Sequence, residues 1–423
     1  MVSHIGNNIR PKGVGLIPPK KVIDGGYRTI IGNGSGLFSQ PFTTEWTVAG
    51  DAAARTITLP LVQNRAEGAL SYNCVVNWGD GTTPSLVTSY NDANRIHTYA
   101  SDGTYIVKIY GVMEGWSFND GGDKLKITKV INFGSSPTFD GFKYLAGGFF
   151  GCTNLTQAGT GPIPASGTGI LSDGFKNTFR TTAVASIPNG LLDNHPLAEE
   201  MNYVFYQSAI TSIPAGLFDK NTAVTDMSGI FRDCSITSIP EGLFDYNTLN
   251  TKFTECFRNS NVTSIPSGLF DYNTAVTTFL RCFNDCVYLT AVPSGLFDNN
   301  ILVTRIDECF DGCFALETTP SELFRLLVNC TDFSNTFNGC IKHQQNIDLF
   351  YRAGEEATRF LNQSPDFTSC FERDSFTGTQ GTAPDLWNCS FGTGTPTTTS
   401  CWAGAGNSAA SLTNYASIPA GWK

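Results

Sequence analysis

Ser264-Ile265-Pro266-Ser267-Gly268-Leu269-Phe270-Asp271-Tyr272-Asn273-Thr274-Ala275-Val276 decides how this chain reads, because near copies stand on both sides of it. Ser186 to Asp193, Ser212 to Asp219 and Ser238 to Asp245 carry the same Ser-Ile-Pro-x-Gly-Leu-(Phe/Leu)-Asp core, and looser copies surround Pro293 and Pro320. From Pro188 to Pro320 the prolines lie 26, 26, 26, 27 and 27 residues apart, and Phe205, Phe231, Phe257, Phe283, Phe310 and Phe337 keep those intervals. Two landmarks with one period define a structural unit.

Within a unit, Asn261-Val262-Thr263-Ser264-Ile265 is β-branched and alternating, which predicts a brief strand that Pro266 ends for want of an N–H. Further on, Val276, Phe279, Leu280 and Phe283 fall at i, i+3, i+4 and i+7, the spacing of one apolar face of a short helix. The pattern weakens outward through Phe150 and Phe179 on one side and Phe371 and Trp402 on the other, closing at Ser417-Ile418-Pro419-Ala420-Gly421-Trp422. About ten coils then occupy residues 136–423, with Thr377 to Thr399 as a Gly/Thr-rich insertion. Stacked at strand spacing, they advance about 4.8 Å per coil. One coil cannot bury its apolar face alone, whereas a stack can.

The (Leu/Val)-Thr-Ser-Ile-Pro…Gly-Leu-Phe…Phe-x-x-Cys unit resembles the repeats of BspA-like leucine-rich-repeat surface proteins and related bacterial and phage proteins. The resemblance implies a leucine-rich-repeat solenoid with an adhesive or structural role. It supplies no catalytic residue.

Upstream, Arg55 to Leu61 and Tyr72 to Trp78 alternate like half-buried strands, and the second runs into the tight turn Gly79-Asp80-Gly81. Asn77-Trp78-Gly79-Asp80-Gly81 followed by His97-Thr98-Tyr99 and Gly103-Thr104-Tyr105-x-Val107 is similar to the polycystic-kidney-disease (PKD) type of immunoglobulin-like sandwich, over about residues 41 to 118. Residues 1–40 differ again: Arg10, Lys12, Lys20, Lys21 and Arg28 face Asp24 alone, giving the arm +4 and the remainder −14. Rich in Gly and Pro, this segment reads as a basic extended arm that gains order by lying on something else.

The whole chain has 423 residues, 27 Lys+Arg against 37 Asp+Glu, and a net charge of −10. That balance attracts neither phosphate backbones nor anionic lipid, so no nucleic-acid role is expected. No stretch reaches 18 apolar residues, so no membrane insertion by a helix is expected. The first 25 residues lack the apolar run of a secretion signal, which, with Met1 native, argues against the standard export route.

Nine of the 13 cysteines recur in two columns. Cys256, Cys282, Cys309, Cys370 and Cys401 each precede the aromatic, where other copies hold Val204, Ile230, Thr178 or Thr336. Cys234, Cys286, Cys313 and Cys340 follow it by three, where others hold Ser208, Ser260 or Thr182. Exchange with small or apolar residues favours packed thiols over a zinc site of the Cys282/Cys286/Cys309/Cys313 set. Disulfides between adjacent coils stay open. His4, His97, His195 and His343 form no recognisable triad with a nucleophile, and His97 reads as a strand residue packed beside Tyr99. Asp80, Asp102 and Asn119 to Asp123 read as turn residues rather than a Ca²⁺ loop, since the dedicated spacing is missing. No cofactor, metal or catalytic residue is expected. Tyr203, Tyr206, Tyr246, Tyr272 and Tyr288 stand at variable repeat positions and suit contact with a glycan or protein.

The expected architecture is mainly β with short helices: the arm at 1–40, a PKD-like β-sandwich at 41–135 and a leucine-rich-repeat type solenoid of about ten 26–27-residue coils at 136–423. The expected function is that of a non-catalytic structural or adhesion protein on the surface of a phage particle, as capsid decoration or a fibre-like element. Its arm meets other virion proteins and its solenoid faces outward, in a homo-oligomer or larger assembly. The alternative is a bacterial cell-surface adhesin of the BspA-like type.

Overall fold

The computed structural model describes residues 40–63, 68–167, 169–170, 173–373, 380–405 and 412–423. Ser39–Lys423 form one compact unit. The arm residues Arg10, Lys12, Lys20, Lys21 and Arg28 lie outside the described residues.

The N-terminal part is built from β1 (Phe42–Val48), β2 (Thr56–Thr58), β3 (Tyr72–Asn77), β4 (Ser85–Val87), β5 (Ile96–Thr98), β6 (Gly103–Met113), β7 (Ile127–Asn132) and β8 (Gln157–Ala158). In β1 the alternate residues Phe42, Thr44, Trp46 and Val48 are buried, as a sheet with one face on a core requires. Six strands join in the order β4-β3-β6-β1-β7-β8, and β2 pairs with β5 alone. β1 runs antiparallel to β6, with Phe42 opposite Ile109 and Val48 opposite Gly103. β7 and β8 pair in parallel, Lys129 with Gln157, so the sheet passes into the repeats without a break. Glu114, 5% exposed, fastens this junction. It accepts from the Ser71 N–H and the Ser166 hydroxyl, both at 2.8 Å, and faces the Lys143 ammonium at 2.9 Å.

The repeats carry no α-helix among the described residues, which corrects the expectation for Val276 to Phe283. Of the expected apolar face, Val276, Phe279 and Phe283 are buried, Leu280 is only half-buried, and Cys282 and Cys286 are buried beside them. What breaks the helix is a left-handed residue every fourth position, Arg281 at φ 54° and Asp285 at φ 58°. Each such residue points its own N–H at the next coil. Alternate amides therefore bond to the next coil, from Phe279, Arg281, Phe283 and Asp285 to the carbonyls of Arg305, Asp307, Cys309 and Asp311. The amides between them, those of Cys282, Asn284 and Cys286, close turns onto the carbonyl three residues back. Glu255 and Asn259, Glu308 and Gly312, and Asn335 and Gly339 repeat the device. A left-handed non-glycine residue costs roughly 1–2 kcal/mol, comparable with the ~0.5–1.5 kcal/mol of one net hydrogen bond. Burial of the aromatic column decides the balance, at about 3–5 kcal/mol for a fully buried Phe.

That column runs Phe149, Phe179, Phe205, Phe231, Phe257, Phe283, Phe310, Phe337, Phe371, Trp402, with centroids 5.4–5.8 Å apart and planes within 15°. Phe149 rather than Phe150 begins it, and the centroid separations exceed the strand spacing of about 4.8 Å because offset-stacked rings are displaced sideways as well as along the stack. A second column, Phe218, Phe244, Phe270, Phe297, Phe324, lies at 6.0–6.3 Å intervals. The expected strand at Asn261 to Ile265 does not form. Thr263 makes single bonds, from its N–H to Thr237 and from the Thr290 N–H to its carbonyl, before Pro266 ends the run. Isolated parallel bridges instead join Lys252, Thr278, Arg305, Asp332, Asp366 and Thr397 coil to coil.

Buried polar columns complete the interior. Asn247 Nδ2 donates to the carbonyls of Phe218 (3.1 Å) and Asn221 (2.9 Å), and Asn221, Asn273 and Asn300 repeat this in their own coils. His195 takes the asparagine position at the front of the series. Its Nε2 meets the Ile163 carbonyl and its Nδ1 accepts from the Ile170 N–H, both at 3.0 Å. Burial pushes its pKa down to about 4, so this imidazole is neutral near pH 7. The thiols of Cys234, Cys286, Cys313 and Cys340 donate to the carbonyls of Phe205, Phe257, Phe283 and Phe310 at 3.0–3.2 Å. The Ser208 hydroxyl makes the local version of that bond, to Phe205 O at 2.6 Å.

Candidate binding surface

The five tyrosines singled out from the sequence fall in three places. Tyr203 and Tyr206 are half-buried, with rings 5.8 Å apart. Tyr203 lies against Gly229, where an added Cβ would come within 2.3 Å of the ring, so only glycine fits there. Tyr206 is part of a side-chain stack that crosses coils. The Arg180 guanidinium sits 4.5 Å from the Phe150 ring and 4.7 Å from the Tyr206 ring, and Arg232 covers Tyr206 at 5.0 Å. The stack continues as ion pairs, from Arg232 and Arg258 to Glu255 and from Arg281 bidentately to Glu308 at 2.7 Å. These charges are consumed within the molecule.

Tyr246 and Tyr272 are different. They immediately precede Asn247 and Asn273, which are bonded in register, and so stand in one column on adjacent coils at 57% and 58% exposure. Leu249, Ile301, Leu302, Leu326 and Val328 are exposed in the same loops, giving an apolar edge along successive coils. Those aliphatic residues escaped the sequence reading, although they replace Thr, Ala or Asn of other copies after the Leu-Phe-Asp turn. Tyr288 is 57% exposed in the loop after Cys286, and Phe314 is exposed in the matching loop of the next coil. Exposed apolar residues gathered on one face are the usual mark of an interaction surface.

Carboxylates line the neighbouring turn. Asp193, Asp219, Asp245, Asp271 and Asp298 recur once per coil. Partial burial and then the charges of Asp219 and Asp271 hold the Asp245 carboxyl above the usual range. Asp311 is pushed up to about 6, first by burial and then by Glu308 and Asp285.

The remaining expected residues are structural. All 13 cysteines are free and buried, with no disulfide between coils. Desolvation drives Cys282 and Cys309 well above the ordinary thiol value. His97 packs between Trp78 (4.8 Å) and Tyr99 (4.7 Å), and its Nε2 meets Asp80 at 2.7 Å. Asp102 accepts from the Gly50 N–H, Asp120 pairs with Lys124, and Asp123 pairs with Lys126. These carboxylates have protein partners. Among the described residues no three His, Cys, Asp or Glu side chains gather as metal ligands, and no helix is long and apolar enough to cross a membrane.

No protein-family model and no curated protein matches the chain. Among solved structures it is similar to a chain of the octameric complex of Latrophilin 3, Unc5D and the leucine-rich-repeat part of FLRT2, at 13% identity, TM-score 0.31, covering 52% of this chain and 67% of that one. The TLR13–ssRNA13 complex matches at 16% identity and TM-score 0.27, covering 49% of this chain and 33% of that one. A leucine-rich-repeat protein from Bacteroides ovatus matches at 15% identity and TM-score 0.17, covering 66% and 88%. The chain thus spans about a third of the TLR13 chain it resembles. All three likenesses are remote.

Proposed function

We propose that the chain is a non-catalytic binding protein: a leucine-rich-repeat type solenoid of about ten coils that offers its exposed edge to a partner, behind a PKD-like sandwich spanning residues 41–135. The observation that supports this best is the apolar edge of Tyr246, Leu249, Tyr272, Ile301, Leu302, Leu326 and Val328. It stands on a scaffold whose thiols are buried and whose Arg232, Arg258 and Arg281 pair internally. Tyr and Leu at such an edge give contact area without the desolvation cost of charge. Display on a phage particle, with the solenoid outward, is the finer reading. A +4 arm at residues 1–40 against a −14 remainder suits attachment of the first part and projection of the second. In the cell-surface reading the same edge serves an adhesin.

Fluorescently labelled protein applied to intact bacterial cells tests the binding role. Tyr246→Ser/Tyr272→Ser/Leu302→Ser is expected to lose at least tenfold in bound protein with an unchanged melting temperature. Unchanged binding contradicts the assignment of the edge. Deleting residues 1–40 is expected to leave the stack folded and abolish association with the particle, and normal incorporation removes the anchoring role. Recovery of the intact chain from the cell envelope instead supports the adhesin.

A further inference from the structure

A shallow depression of about 340 Å³ opens where the repeat changes character near its C-terminal end, lined by Thr319, Gln344, Gln345, Asn346, Ile347 and Thr382 among others. In the earlier coils the buried position before each proline is Ile187, Ile213, Ile239, Ile265 and Val292; here it becomes Thr319 and then Gln345. Two polar side chains thus replace the apolar residues of that column.

Both are held in place from behind. The Thr319 hydroxyl pairs with His343 Nε2 at 3.0 Å, and Gln345 Oε1 accepts from the Trp402 indole at 2.9 Å. His343 is wholly buried, and burial together with Arg373 pushes its pKa to about 3, so this imidazole is neutral near pH 7. Gln345 is 4% exposed, and among the described residues its Nε2 has no hydrogen-bond partner. The rim adds the amides of Gln344 and Asn346, the Thr382 hydroxyl and the exposed side chain of Ile347. Among the described residues no charged side chain lines the depression.

We propose that this depression holds one neutral sugar residue of a surface polysaccharide. Amides and hydroxyls that both donate and accept match vicinal sugar hydroxyls, Ile347 matches the C–H face of the ring, and the volume lies at the small end of ligand sites. The inference rests on the binding role proposed above and names a ligand class for it.

Saturation-transfer NMR on the full chain tests it with maltotetraose, cellotetraose and chitotetraose, and with sialyllactose as the charged comparison. At least one neutral tetrasaccharide is expected to bind, at least tenfold more weakly to Ile347→Arg and to Gln344→Ala, and equally to Tyr246→Ser. Ile347→Arg fills the depression from an exposed position and spares the Trp402 contact, so misfolding does not mimic the result. No transfer to any neutral probe, preference for sialyllactose, or binding indifferent to Ile347→Arg overturns the site. Cell binding that survives in any of those cases leaves the edge in place and fails only the sugar. Cell binding removed by protease treatment of the cells but not by periodate assigns the partner as protein and also overturns it.

Discussion

The guanidinium of Arg359 stands in for an asparagine: its Nη2 donates to the carbonyls of Phe324 at 3.2 Å and Leu327 at 3.0 Å, as Asn300 Nδ2 does to Phe270 and Asn273 in an earlier coil. The asparagine column breaks at Leu327, and an arginine from the following coil, 8% exposed and packed 4.2 Å from Phe360, resumes it. Burial pushes the Arg359 pKa down to about 10 and still leaves it charged near neutrality. The carbonyls at the back of each coil therefore demand a donor, and the residue supplying it is secondary.

Asn247 tests that demand. Asn247→Ala removes two buried hydrogen bonds and leaves the Phe218 and Asn221 carbonyls with only their turn bonds from the Asn221 and Val224 N–H groups, an expected loss of about 1–3 kcal/mol in urea unfolding. Asn247→Asp keeps the shape but turns a donor into an acceptor facing the same carbonyls, so it should cost at least as much. If Asn247→Asp is neutral, the column does not hold the coils together.

Cys286 separates donor from filler. Its thiol donates to Phe257 O at 3.2 Å, as Cys234 does to Phe205 O, and the Ser208 hydroxyl makes a comparable bond within its own coil. Cys286→Ser, which keeps a donor, should be the more stable variant, and Cys286→Val should cost about 0.5–1.5 kcal/mol by removing one of the two bonds to the Phe257 carbonyl, whose other donor is the Ser260 N–H. Thermal unfolding of the two variants measures the difference. The reverse order shows a purely apolar site.

Much of this was legible in advance. The period, the aromatic column, the buried cysteines and the His97–Tyr99 contact all follow from residues that recur or alternate, because a repeated environment selects a repeated side chain. The helix was misread because the i, i+3, i+4, i+7 spacing of Val276, Phe279, Leu280 and Phe283 fits two structures. Part of the discriminating signal was present in Gly229 and Asp233 and in Asn335 and Gly339, residue types that tolerate positive φ four positions apart, whereas Glu255, Arg281 and Glu308 in the other coils give no such sign. Phe150 was assigned to the interior because two adjacent phenylalanines compete for one column, and only the packing decides that Phe149 enters. The apolar edge was missed because Leu249, Ile301 and Leu302 sit in loops, where no periodicity marks them. Arg359 carries no sequence signal at all, since its loop differs in length from the others.

Asp311 gives the stack a pH dependence of known sign. Its folded value, about 6, lies above the ordinary carboxyl value of 3.8, so the charged folded form is penalised. The penalty is absent below about pH 4 and grows as pH rises through 6. Asp311→Asn should therefore raise the melting temperature at pH 7 and make no difference at pH 4. It also keeps an oxygen for the Asn284 amide, which lies 3.0 Å from Asp311 Oδ2. A gain that is equal at both pH values assigns the effect to packing instead.

Everything proposed for the surface presupposes that the recurrent Phe and Cys residues close one shared interior. Counting thiols with Ellman's reagent, without reductant, tests this most directly. All 13 cysteines are buried and unpaired in the structure, so the folded protein should release no colour on the timescale of minutes, and addition of guanidinium should release all thirteen equivalents together. Rapid reaction of the native protein, or fewer than thirteen equivalents after unfolding, would show an open or cross-linked stack and contradict the account.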